Sequence, residues 1–168
     1  MHDHGNDQDA FDTLFTASFP TVVRAISFVV GDRRVAEEIA QDAFVHLLRH
    51  WGRVSRYERP DLWVRRVALQ DAMRERRRTW RRPLAEASAA VPETVLQSGE
   101  SRLEVLAAVQ SLAPKQRAIV VLFYFEDRPM DEIASIVGFS VSTGWSQLHT
   151  ARKRLARVLA EEVMDDVS

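Results

Sequence analysis

Three sets of side chains fall at helical spacing with chemistry suited to polyanions or charged partners. Arg66, Gln70, Arg74 and Arg77 share one stripe, and Arg78, Arg81 and Arg82 come after it. Arginine binds phosphates and pairs bidentately with guanine edges, as glutamine does with adenine. Tyr57 precedes this stripe, Trp63 opens it and Trp80 lies near its end. Basic residues interleaved with rings suit single-stranded or melted nucleic acid, whose exposed bases stack on them. Trp51 and Trp63 sit on apolar faces and are expected in the core, whereas Tyr57 and Trp80 are open. In a second set, Glu38, Gln41, Asp42, Val45 and Arg49 share a face opposite an apolar one. Acidic and amide groups around an exposed valine make a docking patch for a basic partner helix. In the third, Gly144, Leu148, Ala151, Leu155 and Val158 keep to one face, while Ser146, His149, Thr150, Lys153 and Arg157 lie away from it.

The third set belongs to a helix-turn-helix. Met130, Ile133, Ala134 and Val137 fall at i, i+3, i+4 and i+7, the stripe of a short amphipathic helix. Gly138 supplies a turn residue tolerant of positive φ, and Ser140 or Ser142 can cap the second helix. The pattern places that second helix to enter a DNA groove.

The other elements are also helical. Phe11, Leu14, Phe15, Phe19, Val22, Val23, Ile26 and Val30 predict a helix in which Pro20 marks an irregularity. Gly31 and Asp32 break it. Ala36, Ile39, Ala40, Ala43, Phe44, Leu47, Leu48 and Trp51 line the apolar face of the next. Residues 52–60 read as a loop, and Asp61 as the N-cap of the arginine-bearing helix, which Pro83 stops. Leu84 to Gly99, rich in Ala, Ser and Pro, reads as a linker. Helical spacing resumes from Leu103 to Leu112. The run Gln116–Phe125 resembles a strand at Ile119-Val120-Val121, but its helical neighbours favour helix. The expectation is an all-α chain: a disordered acidic tail over 1–10, a helical domain over 11–83, a linker over 84–99, a helix-turn-helix domain over 100–162 and a tail over 163–168.

The net charge of -1 hides segregation: residues 49–82 hold twelve Arg against four acidic residues, a net of +8, while the preceding segment is acidic. A local basic block points to a polyanion better than total charge does. The absence of cysteine excludes disulfides and thiolate metal sites. No apolar run approaches the roughly 20 residues that span a bilayer, and the acidic N-terminus is unlike a signal peptide. A soluble cytoplasmic protein is expected, without membrane insertion. No glycine-rich phosphate loop, HExxH or Ser/His/Asp pattern appears, so neither catalysis, cofactor, metal nor small-molecule substrate is expected. His2 and His4 flank Asp3 in the tail, and His46, His50 and His149 are scattered.

Taken in order, these pieces resemble an extracytoplasmic-function RNA polymerase sigma factor of the sigma-70 family. The segment 36–44, AEEIAQDAF, resembles the family's AEDLVQEVF, and 63–68, WVRRVA, resembles WLxRIA. The segment 112–117, LAPKQR, resembles LPxxQR; Glu132-Ile133-Ala134 with Gly138, Ser140, Leu148-His149 and Ala151-Arg152 resembles the reader of the upstream promoter element. The resemblance spans Phe11 to Leu159. It implies that Glu38, Gln41, Asp42 and Val45 dock on the β′ coiled coil of core RNA polymerase, with the β flap as a further contact. It implies that Arg56, Tyr57, Arg66, Gln70, Arg74, Arg77 and Arg78 capture and melt the −10 element. It also lays Ser142, Thr143, Trp145, Ser146, Gln147, His149, Thr150, Arg152 and Lys153 at the −35 element. An anti-sigma factor is a further partner common in the family.

The chain departs from the family in the recognition helix and at Gln70. Many relatives read GTVKSRL where residues 142–148 read STGWSQL. Gly144 replaces a core-facing Val, and glycine within a helix costs about 1 kcal/mol relative to alanine. Trp145 and Gln147 replace basic residues, and Gln70 stands where Asn is usual. Two placements of Trp145 are open: its indole fills the space left by Gly144, or it points at DNA and meets thymine methyls or sugars. The function expected is a promoter-specificity subunit of RNA polymerase. The alternatives are a stand-alone helix-turn-helix regulator and a sigma-like binding module without −35 reading.

Overall fold

The computed structural model describes residues 4–80 and 107–165, and every regular element among them is helical. The first helix, α1 (His4–Val30), begins within the segment expected to be a disordered tail. It is tied there by the Trp51 indole, whose Nε1 donates to the Asp7 carbonyl at 3.0 Å, and by the edge-on contact of Trp51 with Phe11. The helix continues through Pro20 without a fresh start. Its stretch Asp7–Val30 is, by length and composition, apolar enough to cross a membrane, contrary to the sequence expectation. Here its apolar face is core: Val22, Val23, Ile26, Phe28 and Val29 are buried.

Gly31 reverses the chain with a φ of 81°, and Asp32 caps α2 (Arg33–Arg49), accepting from the amides of Arg34 and Val35 at 2.8 and 3.2 Å. The apolar stripe of α2 buries Ala36, Ala40, Ala43, Phe44 and Leu47. Its small residues let α1 approach, and Phe44 meets Phe15 and Phe19 edge-on. Full burial of a side chain such as Leu47 is worth about 1.5–3 kcal/mol. Leu48, expected on this apolar face, is instead 50% exposed.

The expected loop after α2 contains one helical turn, α3 (Trp51–Val54), anchored by the buried Val54. The arginine-bearing helix α4 (Pro60–Trp80) starts at the proline, whose missing N–H costs nothing in a first turn. Asp61 lies inside that turn rather than capping it. The predicted linker, 84–99, falls outside the described residues, and only residues 107–112 of the segment expected to resume helical spacing lie within them.

In the C-terminal half, residues 107–110 are helical. After Ala113, α5 (Pro114–Val120) opens on proline and passes into a wider π turn at Val121–Phe125. The Glu126 amide, bonded to the Val121 carbonyl at 3.2 Å, closes that turn. No strand forms at Ile119-Val120-Val121. Asp127, with a φ of 51°, turns the chain into α6 (Met130–Val137). Gly138, at φ 86°, terminates α6 in the left-handed conformation. The last helix, α7 (Val141–Asp165), extends past the expected end of the domain.

The two halves share one apolar core. Val22 and Ile26 of α1 and Leu69 of α4 face Ala118, Leu122 and Ile136 across a crevice. Arg117 ties this junction through backbone carbonyls: its Nε donates to Leu112 at 2.9 Å, Nη1 to Val29 at 2.8 Å, and Nη2 to Gln110. Gln110 in turn donates to the Phe28 carbonyl at 2.6 Å. The unfilled carbonyls at the C-terminus of α1 thus receive a cation and an amide from the other half. Burial pushes the Arg117 guanidinium down to about 10, still charged at neutral pH.

Candidate nucleic-acid interface

The helix-turn-helix is held by its turn and by close helix packing. Ser140 is the cap that forms, its Oγ accepting from the Thr143 amide at 3.2 Å and lying 3.1 Å from the Ser142 hydroxyl. Leu148 and Ala151 are fully buried on the inner face of α7. Gly144 is also buried, and a Cβ built there would lie 2.5 Å from Met130 Sδ and 2.8 Å from Phe139 Cε2. The space that a valine would need is therefore occupied by Met130 and Phe139. This overturns the packed placement of Trp145, which does not fill that space. The indole is 48% exposed and leans edge-on against Phe123, with ring centroids 5.7 Å apart.

The remaining residues expected at the upstream element divide in two. Ser142, Thr143, Ser146, His149, Thr150 and Lys153 are exposed along α7. Gln147 is half-buried and accepts from Gln116 at 3.2 Å. Arg152 is exposed but engaged: its Nε donates to the Tyr124 hydroxyl at 2.5 Å, and its guanidinium stands over the rings of Phe123 and Tyr124. Phe123 and Tyr124, which brace two expected readers, do not stand out in the sequence. Their only signal there is that of aromatic residues at the end of an apolar run.

On α4, Arg66, Gln70, Arg74, Arg77 and Arg78 all reach solvent along one side, as the spacing predicts. Arg74 pairs with Asp71 at 2.9 Å and Arg78 with Glu75 at 3.5 Å, exposed pairs worth little. Arg56 and Tyr57 are exposed in the turn that leads into α4. The side chain of Trp80 lies outside the described residues. Trp63 is half-buried against the stacked rings of His46 and His50.

On α2, Glu38, Gln41, Asp42 and Val45 form a continuous exposed face. Leu48, which periodicity assigns to the core, stands exposed in the turn after Val45 and extends the apolar part of this patch. Among the described residues, no group of three or more His, Cys, Asp or Glu side chains could hold a metal ion.

Between α4 and α6 runs an ion-pair network. Arg59 bonds both Asp61 and Glu132; Arg128 bonds Glu132 at 2.8 Å and Glu126 at 2.6 Å; Arg65 reaches Glu126 at 3.3 Å and Thr21 Oγ1 at 2.8 Å. The hydrogen bond from Arg59 holds the Glu132 carboxyl below its ordinary range, against burial. Burial would raise Asp61, but the Arg59 hydrogen bond and charge prevail and lower it. Desolvation lowers Arg65, with Glu126 opposing.

Comparison with known proteins extends this picture to nearly the whole chain. The family model for sigma-70 region 2 matches residues 14–82, and that for sigma-70 region 4 matches residues 102–155. The chain is 30% identical over 151 residues to the RNA polymerase sigma-E factor of Streptomyces avermitilis, covering 86% of this chain and 82% of that one. It is 29% identical over 161 residues to the RNA polymerase sigma factor CarQ of Myxococcus xanthus, covering 92% and 91%. In fold it is similar to the sigma factor RpoE in its co-crystal structure with the anti-sigma factor NepR from Bartonella quintana, with a TM-score of 0.68 and 20% identity, covering 90% of this chain and 97% of that one.

Proposed function

Since the chain belongs to the extracytoplasmic-function RNA polymerase sigma factors of the sigma-70 family, we propose how its surfaces divide the work of promoter-specific initiation. Region 2, over 11–83, engages core polymerase and the −10 element, and region 4, over 100–162, engages the −35 element. The exposed face Glu38, Gln41, Asp42 and Val45, extended by Leu48, docks on the β′ coiled coil. Arg56, Tyr57, Arg66, Gln70, Arg74, Arg77 and Arg78 engage the −10 strand, cations on phosphates and the ring under an unstacked base. Ser142, Thr143, Trp145, Ser146, Gln147, His149, Thr150, Arg152 and Lys153 line the side of α7 offered to the major groove. The protein acts in the cytoplasm without enzymatic activity of its own, and an anti-sigma factor is a partner of the same surfaces.

The observation that carries this reading is the outward presentation, on one chain, of the α4 arginine stripe and the polar side of α7. Elements about 25 base pairs apart lie about 85 Å apart along a duplex, whereas Arg59 at the head of α4 bonds Glu132 on α6. Reading both at once therefore requires the two halves to part. Run-off transcription from genomic fragments with core enzyme tests the function, and pull-down of core enzyme tests the docking face. Glu38→Lys with Asp42→Lys is expected to abolish core binding while the circular dichroism stays helical. Unchanged core affinity would overturn the docking assignment.

A further inference from the structure

We propose that Trp145 is a specificity-determining residue that recognises the C5-methyl group of a pyrimidine, thymine above all, in the upstream duplex element. The inference rests on the reading of α7 as the duplex reader and names what its first turn selects. Two contacts fix the first turn of α7, and a third fixes the indole it carries. Ser140 caps the helix start through the Thr143 amide. Gly144 is wedged against Met130 and Phe139, which sets the rotation of α7 about its own axis. Phe123 then holds the ring edge-on at 5.7 Å, an arrangement that favours one orientation. A ring carried on a fixed helical turn, packed against Phe123 on one edge and still 48% exposed, is ordered before any ligand arrives.

The chemistry of that ring selects among base edges. The first turn of a recognition helix reaches base edges in the major groove. There thymine alone of the four bases shows a methyl group, beside the O4 acceptor. An indole offers an apolar surface and a single N–H donor, and the Trp145 N–H has no partner among the described residues. Cytosine, with an N4 donor and no methyl, offers the indole neither. The surroundings suit a duplex: exposed His149, Lys153, Arg154 and Arg157 run down α7. Arg152, held over Phe123 and Tyr124, adds positive charge to the same surface. Phe123 is thereby a positioning residue for Trp145.

The test uses the full chain bound to core RNA polymerase and a duplex that this complex selects from a random pool. Each thymine of the protected upstream element is replaced in turn by deoxyuridine, which removes the methyl and nothing else. Wild type is expected to lose about fourfold in affinity at one or two positions, the scale of one buried methyl. Trp145→Ala should bind the thymine duplex about as weakly as wild type binds the deoxyuridine one, and should not distinguish the two. Phe123→Leu should blunt the discrimination, and 5-methylcytosine should restore binding where cytosine fails. Indifference of wild type to deoxyuridine at every position overturns the proposal, as does discrimination that survives Trp145→Ala or a selected element without A·T pairs. Lys153→Ala separates the levels. If it weakens binding while deoxyuridine does nothing, Trp145 alone is misassigned; if neither matters, α7 is not the reader and both assignments fall.

Discussion

Arg65 on α4 and Glu126 at the end of the π turn form an ion pair at 3.3 Å with side chains only 8% and 5% exposed. Among the described residues this is the most deeply buried charge pair between the two halves, and Arg65 Nε has no hydrogen-bond partner there. Removing one member of such a pair strands the other charge away from water. Glu126→Leu is therefore expected to lower unfolding free energy by about 3–5 kcal/mol. The double variant Arg65→Met, Glu126→Leu should recover much of that loss. Urea denaturation of the single and double variants measures both, and additive losses would mean that the pair does not couple.

Acid should loosen the same junction from its outer edge. Asp61 and Glu132 both have folded-state values below their unfolded ones. Their stabilisation is thus fully present above the unfolded carboxylate range of about 4 and is lost as pH falls through the folded values. The urea midpoint should be insensitive to these groups from pH 7 to 5 and drop below about pH 4. Asp61→Asn with Glu132→Gln should flatten the acid limb; an unchanged slope there would assign acid sensitivity to other groups.

At Gly144, restoring the family's valine should damage this chain rather than repair it. The added carbons must displace Met130 Sδ and Phe139 Cε2, which stand 2.5 and 2.8 Å from an ideal Cβ. Overpacking of this kind costs about 1–3 kcal/mol, more than the roughly 1 kcal/mol that leaving glycine gains in a helix. Gly144→Val should lower the thermal midpoint, and Gly144→Val with Met130→Ala should regain part of it. A more stable single variant would show that the turn yields easily.

Lys153 is exposed on α7 and has no partner among the described residues, whereas Arg152 is bonded to Tyr124. Lys153→Ala should weaken binding to all duplexes alike and reduce the log–log salt slope by about one. Filter binding of the polymerase-bound chain across a salt series gives the slope. A loss confined to one sequence would make Lys153 a base reader.

Much of this architecture is legible in the sequence because it is local. The apolar stripe of α2, the Gly138 turn and the polar side of α7 depend on residues within a few turns of one another, and periodicity captures them. The features that escape depend on distance along the chain. Nothing in the sequence near Arg65 indicates Glu126, and nothing near Arg59 indicates Glu132, because only the fold brings them together. Leu48 satisfies helical spacing but lies at the edge of a stripe already filled by Phe44 and Leu47. Trp145 is ambiguous for a related reason: its position at the boundary of the buried face is settled only by knowing that Met130 and Phe139 have taken the inner space. The start of α1 escapes because a polar segment carries no stripe, while its anchor, Trp51, lies 44 residues on.

The contact of Met130 and Phe139 with Gly144 has a consequence for how this lineage can change. The three side chains compete for one small volume, so a methyl group gained at any of them presses on the others. Among relatives they should drift as a set, a bulky residue at 144 accompanied by a smaller one at 130 or 139. The glycine that looks like an isolated oddity in the recognition helix packs as one member of a three-residue set.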